Sequence, residues 1–393
     1  MPIRVNHAPG VMIAAIVTLA QFEIYWFLSR DWRKRLPHRF IAILRAFLYP
    51  LWFLTGLGIS IDLLALQYAA HPFTPRLTSL TVAISTLWGF TSAIAINIYA
   101  LASFLRRRAS LPESPSRRMV LRTATTAAMA APFALAGFGS LVERTRFVVK
   151  EIDLPIPHLH PDLDGIRVAQ ISDLHVSPFL SVKQAGRVVD MTNELRPNLT
   201  LVTGDLITQA GDPLDATIAE LGRLRAEAGV IGCLGNHEVY ARCEDYATKE
   251  SAKVGLRFLR QQQTTFRWGN GVLNIAGVDF QSFRSRKGYL PGAERLVLPG
   301  MANVLLSHNP DVFPVAVRAG YDAVIGGHTH GGQVTVEILQ QTANLARFFT
   351  PYVAGLYRLN GRSCYVNAGI GTIGMPVRLG APPEITLFRL RRA

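Results

Sequence analysis

Cysteine is scarce in this 393-residue sequence, which contains only Cys233, Cys243 and Cys364. Three thiols cannot all pair within one chain, and none has CxxC or zinc-knuckle spacing, so the sequence indicates neither a disulfide framework nor a thiolate metal site. Cys233 lies in the apolar run 230–234, which is typical of a small core residue. The cysteines therefore argue against a disulfide framework and against a thiolate metal site. They do not indicate whether the protein lies in an oxidising or a reducing compartment.

Acidic residues are also scarce, with 27 Asp and Glu against 41 Lys and Arg and a formal net charge of +14. No nucleic-acid module or aromatic-interleaved basic stripe accompanies this charge, which disfavours nucleic acid as a partner. The basic residues cluster instead at 30–39 and 106–122, each directly after a long apolar stretch. Membrane topology explains the charge better than nucleic-acid binding does.

Length and composition divide the chain into two regions. Residues 1–145 are mostly apolar, whereas residues 146–393 alternate apolar runs with polar turns, as soluble domains do. Stretches long enough to cross a bilayer predict an all-α transmembrane region of about four helices. These predicted spans lie near 11–28, 47–66, 77–105 and 123–141. The fourth is the least apolar, because it is rich in Ala and Thr and contains Pro132.

The two basic clusters predict the orientation, since short loops rich in Lys and Arg stay in the cytoplasm. This rule places the N-terminus and everything after the fourth span outside the cytoplasm. Ser116-Arg117-Arg118 resembles a twin-arginine export motif. An equally good interpretation is that these arginines are ordinary positive charges on the cytoplasmic side of a span. Residues 134–136 are a candidate cleavage site. A fourth segment lying on the membrane surface would instead leave the domain in the cytoplasm.

Five strand-like runs in the C-terminal region each end in a turn that holds Asp, Asn or His. They lead to Asp173 and His175, to Asp205, to Asn236 and His237, to His308, and to His328 and His330. Amphipathic helices are predicted at 181–195, with a capping box of Ser181 and Gln184, and at 213–227. Alternation of strands and helices predicts an α/β domain whose polar turns converge outside the strand ends.

Oxygen and imidazole donors without thiolates suit manganese, iron, zinc or nickel, and these turns offer more donors than one ion can use. We therefore expect two divalent cations. A cation pair roughly 3.5 to 4 Å apart can bind a phosphoryl group, acidify a bridging water and offset charge that develops during displacement. A bridging carboxylate is needed to hold two cations that close.

The order and spacing of these motifs resemble the signature of the calcineurin-like metallophosphoesterases. The resemblance rests on Asp173-x-His175, Gly204-Asp205, Gly235-Asn236-His237-Glu238, His308 and Gly327-His328-Thr329-His330. It implies that Asp173, His175 and His330 bind the first metal, that Asp205 bridges, and that Asn236, His308 and His328 bind the second. It leaves His237 unligated, as a catalytic partner of Asp205 that donates a hydrogen bond to the phosphoryl oxygen or protonates the leaving group.

The resemblance extends over most of 147–391 and, through Gly331-Gly332-Gln333, 367–372 and 376–378, to a membrane-associated bacterial subgroup. It implies a two-sheet β-sandwich flanked by helices. Together with the predicted spans, it leads us to expect a multi-pass protein of the bacterial inner membrane. Asn367 and Arg378 have two equal interpretations, either as lining of a substrate pocket or in a surface or turn role.

The implied activity is metal-dependent phosphoric ester hydrolysis, with a lean to phosphodiesters or pyrophosphates. Proximity to the membrane makes a lipid-linked phosphate an attractive substrate, since the subgroup resembles enzymes acting on diacylated sugar nucleotides. The alternative is a membrane sensor or transporter-associated protein whose outer domain binds metal or ligand without turnover.

Overall fold

The computed structural model describes residue 46 and residues 75–108, 114–282, 288–338 and 341–393. The chain forms two compact units, Met1–Ser140 and Leu141–Ala393. The predicted spans at 11–28 and 47–66 lie outside the described residues.

The described part of the first unit consists of two long helices, α1 (Pro75–Arg108) and α2 (Pro115–Leu141). The two candidate membrane spans of the described chain are Thr86–Leu105, within α1, and Pro115–Thr145, which extends four residues past α2; both are long and apolar enough to cross a bilayer. Helices were predicted in both places, with narrower bounds. Pro132 lies inside α2 without ending it, as membrane helices tolerate.

Leu141–Ala393 is built from strands that alternate with short helices. The helices are α3 (Val182–Glu194), α4 (Leu214–Leu221), α5 (Asn236–Ala241), α6 (Glu244–Lys253) and α7 (Phe313–Ala319). The strands are β1 (Val148–Ile156), β2 (Arg167–Ile171), β3 (Leu199–Val202), β4 (Val230–Gly232), β5 (Leu256–Phe258), β6 (Gln262–Trp268), β7 (Gly271–Gly277), β8 (Ala302–Leu306), β9 (Ala323–Gly326), β10 (Thr335–Ile338), β11 (Gln341–Asn344), β12 (Gly355–Leu359), β13 (Arg362–Val366) and β14 (Glu384–Arg392).

The strands form two six-stranded mixed sheets and a separate β10–β11 hairpin. The first sheet has the order β1-β14-β2-β3-β4-β5, in which β2 to β5 are parallel and β14 is antiparallel to β2. The second has the order β12-β13-β9-β8-β7-β6, in which β13, β9, β8 and β7 are parallel. Parallel neighbours place several strand ends along one edge of each sheet.

Three buried clusters show that the sheets stack face to face and that helices cover their outer faces. Leu201 and Ile231 of the first sheet pack with Leu306 and Ile325 of the second in the central cluster. A second cluster joins the first sheet to α3, α4 and α6, and a third joins the second sheet to α7. The predicted two-sheet sandwich flanked by helices is therefore confirmed for this unit.

The local predictions agree with these elements except at one helix end. All five predicted strands are present, as β2, β3, β4, β8 and β9. Ser181 caps α3 in a reciprocal capping box with Gln184. The helix predicted at 213–227 was wrong at its C-terminus, because α4 ends at Leu221. Gly222 follows, a poor helix former whose Cα packs so closely on Val254 that a Cβ would lie 2.7 Å from the Val254 Cβ.

Leu306→Ala should lower the free energy of unfolding by about 2–5 kcal/mol, because it leaves a cavity between the two sheets. The measurement is a urea titration of the full chain in detergent, followed by loss of the β-sheet circular dichroism signal. Leu356→Ala, at a side chain that is 37% exposed in β12, is the matched control and should change the midpoint little. Equal shifts in both variants would contradict the assignment of Leu306 to the central core.

Candidate metal centre

The predicted site residues lie at the carboxyl ends of five parallel strands. Asp173 and His175 follow β2, Asp205 follows β3, Asn236 and His237 begin α5 after β4, His308 follows β8, and His328 and His330 follow β9. The first three strands belong to one sheet and the last two to the other. The structure therefore brings every predicted site residue to the same edge of the sandwich, where α/β folds place their ligands.

Five of these residues share an uncommon backbone conformation, with φ of 51° at Asp173, 47° at His175, 55° at Asp205, 75° at His328 and 54° at His330. Left-handed backbone is costly for residues other than glycine and persists only where the surroundings enforce it. Here the Asp173 and His175 N–H groups donate to the carbonyls of Gly204 and Asp205, each at 3.0 Å. Strain concentrated at one sheet edge is typical of a functional site.

The side chains form two groups with metal-ligating geometry, and Asp205 belongs to both. One group comprises Asp173, His175, Asp205 and His330, and the other Asp205, His308 and His328; within each group the ligand atoms lie within 4.8 Å of one another. His175 Nε2 and His330 Nε2 are 3.1 Å apart, and His330 Nε2 is 3.4 Å from Asp173 Oδ1. The cluster is suited to a dimetal centre.

The two oxygens of Asp205 have different surroundings. Oδ1 accepts the backbone N–H of His237 at 2.9 Å. Oδ2 lies 3.4 Å from His175 Nε2 and 3.0 Å from His308 Nε2, one nitrogen from each group. The hydrogen bond fixes the carboxylate so that one oxygen faces both groups, which is the arrangement that a bridging ligand needs.

Asn236 carries an amide oxygen donor and directly precedes His237, whose backbone N–H binds Asp205. Among the described residues, no hydrogen-bond donor reaches its buried Oδ1. A buried amide oxygen without a partner costs free energy, and a cation bound to this oxygen would remove that cost. The donor set therefore fits a metal ion.

The charge balance of the pocket also favours a cation. Burial raises the pKa of Asp173. Burial acts in the same direction on Asp205, but the imidazoles of His308 and His237 outweigh it and hold the pKa of that carboxyl well below its usual range. Burial lowers the pKa of His328 to about 3. His308 is desolvated too, yet the carboxylates of Asp205 and Asp173 raise its pKa to about 10. The two carboxylates thus draw positive charge into the pocket.

Backbone and hydroxyl groups orient two of the imidazoles. His308 Nδ1 lies 2.7 Å from the carbonyl of Thr203, which can only accept, so Nδ1 keeps its proton and Nε2 is the nitrogen whose proton a metal ion would replace. His175 Nδ1 lies 3.2 Å from the hydroxyl of Thr208. Fixed rings present their Nε2 atoms to Asp205, so the ligand geometry exists before any ion binds.

His237 is held beside the two groups by two contacts. Its Nδ1 is 2.5 Å from the carbonyl of Thr208, and its backbone N–H binds Asp205. Its ring packs edge-on against the ring of His175, with centroids 4.5 Å apart. The Thr208 carbonyl places a proton on Nδ1, so Nε2 remains as the nitrogen available to a ligand.

Glu238 is a supporting residue to which the sequence analysis assigned no role. It is fully buried, and its carboxylate accepts the backbone N–H groups of Gly235 at 2.8 Å, Asp205 at 3.0 Å and Leu206 at 2.7 Å. Its position directly after Asn236-His237 was the only sequence signal. The carboxylate joins the turns after β3 and β4 and so fixes Asp205 relative to Asn236.

Arg378 and Asn367 have structural roles. The Arg378 side chain is fully buried and donates to the carbonyls of Gly371, Ala368 and Ala381. Asn367 accepts the Gly369 N–H and donates to Thr386. The structure favours the turn interpretation over the substrate pocket for both residues.

Comparisons with a family model and with known relatives find phosphoesterase proteins. A model of the calcineurin-like phosphoesterase family matches residues 166–332. A Danio rerio protein described as a transmembrane protein with metallophosphoesterase domain is 26% identical over 309 residues, covering 75% of this chain and 68% of the relative. A metallophosphoesterase of Aquifex aeolicus is 30% identical over 234 residues, covering 58% of this chain and 85% of the relative. The solved structure of a dimetal phosphatase from Danio rerio covers 53% of this chain and 88% of its own, with 11% identity and a TM-score of 0.31.

Glu238→Gln should destabilise the domain by about 1–3 kcal/mol, because an amide offers one acceptor oxygen where three backbone N–H groups need acceptors. It should also weaken Mn²⁺ binding by displacing the Asp205 backbone. Thermal unfolding with and without Mn²⁺ measures both effects. The control is Glu250→Gln, which only breaks a surface ion pair with Lys253. Unchanged Mn²⁺ stabilisation in Glu238→Gln would refute this supporting role.

Proposed function

Because this chain belongs to the calcineurin-like metallophosphoesterase family, we propose that it hydrolyses a phosphate ester at the centre built around Asp205. The observation that carries the proposal is the shared position of Asp205 between two groups of ligands, with His237 directly beside it. A single structural ion would not need two sets of donors that share one carboxylate.

In this proposal seven residues hold two divalent cations. Asp173, His175 and His330 would hold the first, Asn236, His308 and His328 the second, and Asp205 both. Bound cations supply Lewis acidity, which lowers the pKa of a water and offsets charge on the phosphoryl oxygens. The unpartnered Asn236 Oδ1 and the two buried carboxylates support this assignment. Manganese, iron, zinc and nickel all suit the donor set.

The protein's own contribution to the reaction is orientation and proton transfer. Asp205 and the imidazoles are held by backbone contacts before substrate arrives, so little reorganisation is needed during the reaction. His237 is not part of either ligand group and has its Nδ1 bound to Thr208. When His237 also carries a proton on Nε2, as an imidazolium, that nitrogen would donate the proton to the leaving oxygen or a hydrogen bond to the phosphoryl group.

We favour a phosphodiester or pyrophosphate as substrate, and a lipid-linked one in particular. The support is that the chain also carries two helices able to cross a bilayer and resembles relatives described as transmembrane proteins. The basic residues around 106–122 would keep that loop in the cytoplasm and leave the catalytic unit outside it.

Asp205→Asn should abolish most Mn²⁺-dependent turnover of bis(p-nitrophenyl) phosphate by the purified full chain, because a neutral amide is a poor ligand for two cations. The assay measures p-nitrophenolate release, with p-nitrophenyl phosphate tested in parallel to compare diester with monoester. Asp245→Asn is the control, since that side chain is 97% exposed. Stoichiometric Mn²⁺ binding without turnover in the unmodified chain would favour the sensor or transporter-associated alternative over a hydrolase.

His237→Ala should separate proton donation from simple binding. If His237 protonates the leaving group, the rate should fall by about 10²- to 10⁴-fold for an alkyl phosphodiester but much less for a p-nitrophenyl ester, whose leaving group needs little protonation. Both rates are measured at saturating Mn²⁺. His158→Asn, at an exposed histidine with φ of 56°, is the matched control. Equal losses with both leaving groups would assign His237 to phosphoryl binding instead.

A further inference from the structure

The segment that follows β11 presents aromatic side chains to solvent. We call residues 345–350 the rim loop. Phe348 is 84% exposed, the most exposed large hydrophobic side chain in the described part of the chain, and the adjacent Phe349 is 77% exposed. Adjacent, strongly exposed aromatic side chains at one loop are typical of an interaction site.

The rim loop is a built structure with defined anchors. Asn344 caps its short 3₁₀ helix, Leu345–Phe348, by accepting the Ala346 N–H at 2.7 Å. The backbone N–H groups of Phe349 and Thr350 donate to the Ala346 carbonyl at 2.9 and 3.0 Å. Each aromatic side chain is therefore displayed from a fixed backbone, so little conformational entropy is lost when a partner covers it.

The same capping residue joins the rim loop to the metal centre. The Asn344 amide donates to the carbonyl of Gly331 at 2.7 Å, and Gly331 directly follows the proposed ligand His330. Farther along that turn, Gln333 exchanges hydrogen bonds with the backbone of Ile373, another exposed apolar residue. The turn that carries His330 is therefore hydrogen-bonded both to the rim loop and to the segment that contains Ile373, and each of these segments exposes apolar side chains.

The sequence around the rim loop carries mostly positive charge, and Asp311, which accepts the hydroxyl of Thr350, is an acidic neighbour from outside this stretch. Residues 338–383 contain no Asp or Glu. Arg347, within the loop, and Arg358, on β12, are both exposed. Aromatic rings beside arginines are the composition of protein surfaces that contact the headgroup region of a bilayer, where the ring meets the apolar boundary and the guanidinium meets phosphates.

We propose that the rim loop inserts Phe348 and Phe349 into the headgroup region of an anionic bilayer and thereby presents the metal centre to a phosphate ester anchored in that bilayer. The substrate half of this inference rests on the proposed function, whereas the membrane contact does not. A bilayer is the partner that the sequence itself supplies, because only residues 142–147 separate α2 from β1.

The membrane contact is tested with a fluorescent NBD label. Phe348→Cys is labelled in a full chain that also carries Cys243→Ser, because Cys243 is the one partly exposed cysteine and the other two are buried. The chain is placed in nanodiscs with phosphatidylglycerol, and quenching by spin-labelled lipid is measured. We expect strong quenching at position 348 and little at the matched control, Val254→Cys, an exposed apolar position at the end of α6. Equal quenching at both positions would overturn the membrane contact.

The substrate half is tested with two esters that share a leaving group, soluble bis(p-nitrophenyl) phosphate and phosphatidyl-p-nitrophenol in the nanodisc. Phe348→Ser with Phe349→Ser should lower turnover of the lipid ester by about tenfold or more, since two apolar anchors are lost, and leave soluble turnover unchanged. Phe348→Trp should retain lipid turnover.

The outcomes separate this inference from the proposed function. An unchanged lipid rate, or an equal fall in both rates, would overturn the rim loop as a membrane element. Absence of turnover with either ester in the unmodified chain would instead refute the proposed function, and the quenching result would still decide the membrane contact. A dimer in detergent that the double substitution dissociates would identify a second copy as the occupant and overturn the inference.

Discussion

The carboxyl ends of the strands in the two stacked sheets must be held at a fixed separation, because Asp205 Oδ2 has to face a histidine from each sheet. Gln170 links the sheets at this point: its amide donates to Thr203 in the turn after β3 and, at 2.9 Å, to the carbonyl of Gly326 at the end of β9. Because the buried Gln170 amide donates a hydrogen bond to each sheet, it fixes the position of one sheet relative to the other. The apolar contacts of the central core alone would tolerate a small displacement of one sheet along the other. The chemistry of the site therefore depends on polar contacts at one edge of an otherwise apolar interface.

The buried charged side chains of Glu238 and Arg378 form hydrogen bonds with backbone groups near the metal centre. Glu238 accepts three N–H groups and Arg378 donates to four carbonyls, including that of His330, so each side chain satisfies main-chain groups of turns that would otherwise cost free energy. These turns hold residues with left-handed backbone, and their conformations survive only under such constraint. Close packing of these turns also explains why a glycine stands at position 327, where an added Cβ would lie 2.1 Å from Asp173 Oδ2.

The sequence was informative where local rules apply. Runs of branched residues ending in Asp, Asn or His located five strands, because strand length, branching and turn chemistry are all local properties. The family resemblance then paired residues from distant strands, which periodicity alone cannot do. Arg378 and Asn367 stayed ambiguous because their roles depend on which carbonyls and hydroxyls lie around them in the fold. Glu238 was overlooked for the same reason, and the end of α4 was misplaced because packing of Gly222 on Val254 is a tertiary contact.

The exposure of Phe348 bears on how the centre meets its substrate. A site that took only soluble esters would gain nothing from aromatic side chains on its rim, and exposed aromatics promote unwanted association. A site that takes esters from a bilayer must instead bring its metal ligands to the depth of the headgroup phosphates. This requires a fixed distance between the metal ligands and the part of the protein that contacts the bilayer. The Asn344–Gly331 hydrogen bond fixes that distance for the rim loop, since it joins the loop to the residue after His330. Because of this hydrogen bond, a displacement of the rim loop would also displace the turn that carries the proposed ligand His330. The position of the loop and the position of the ligand are therefore coupled.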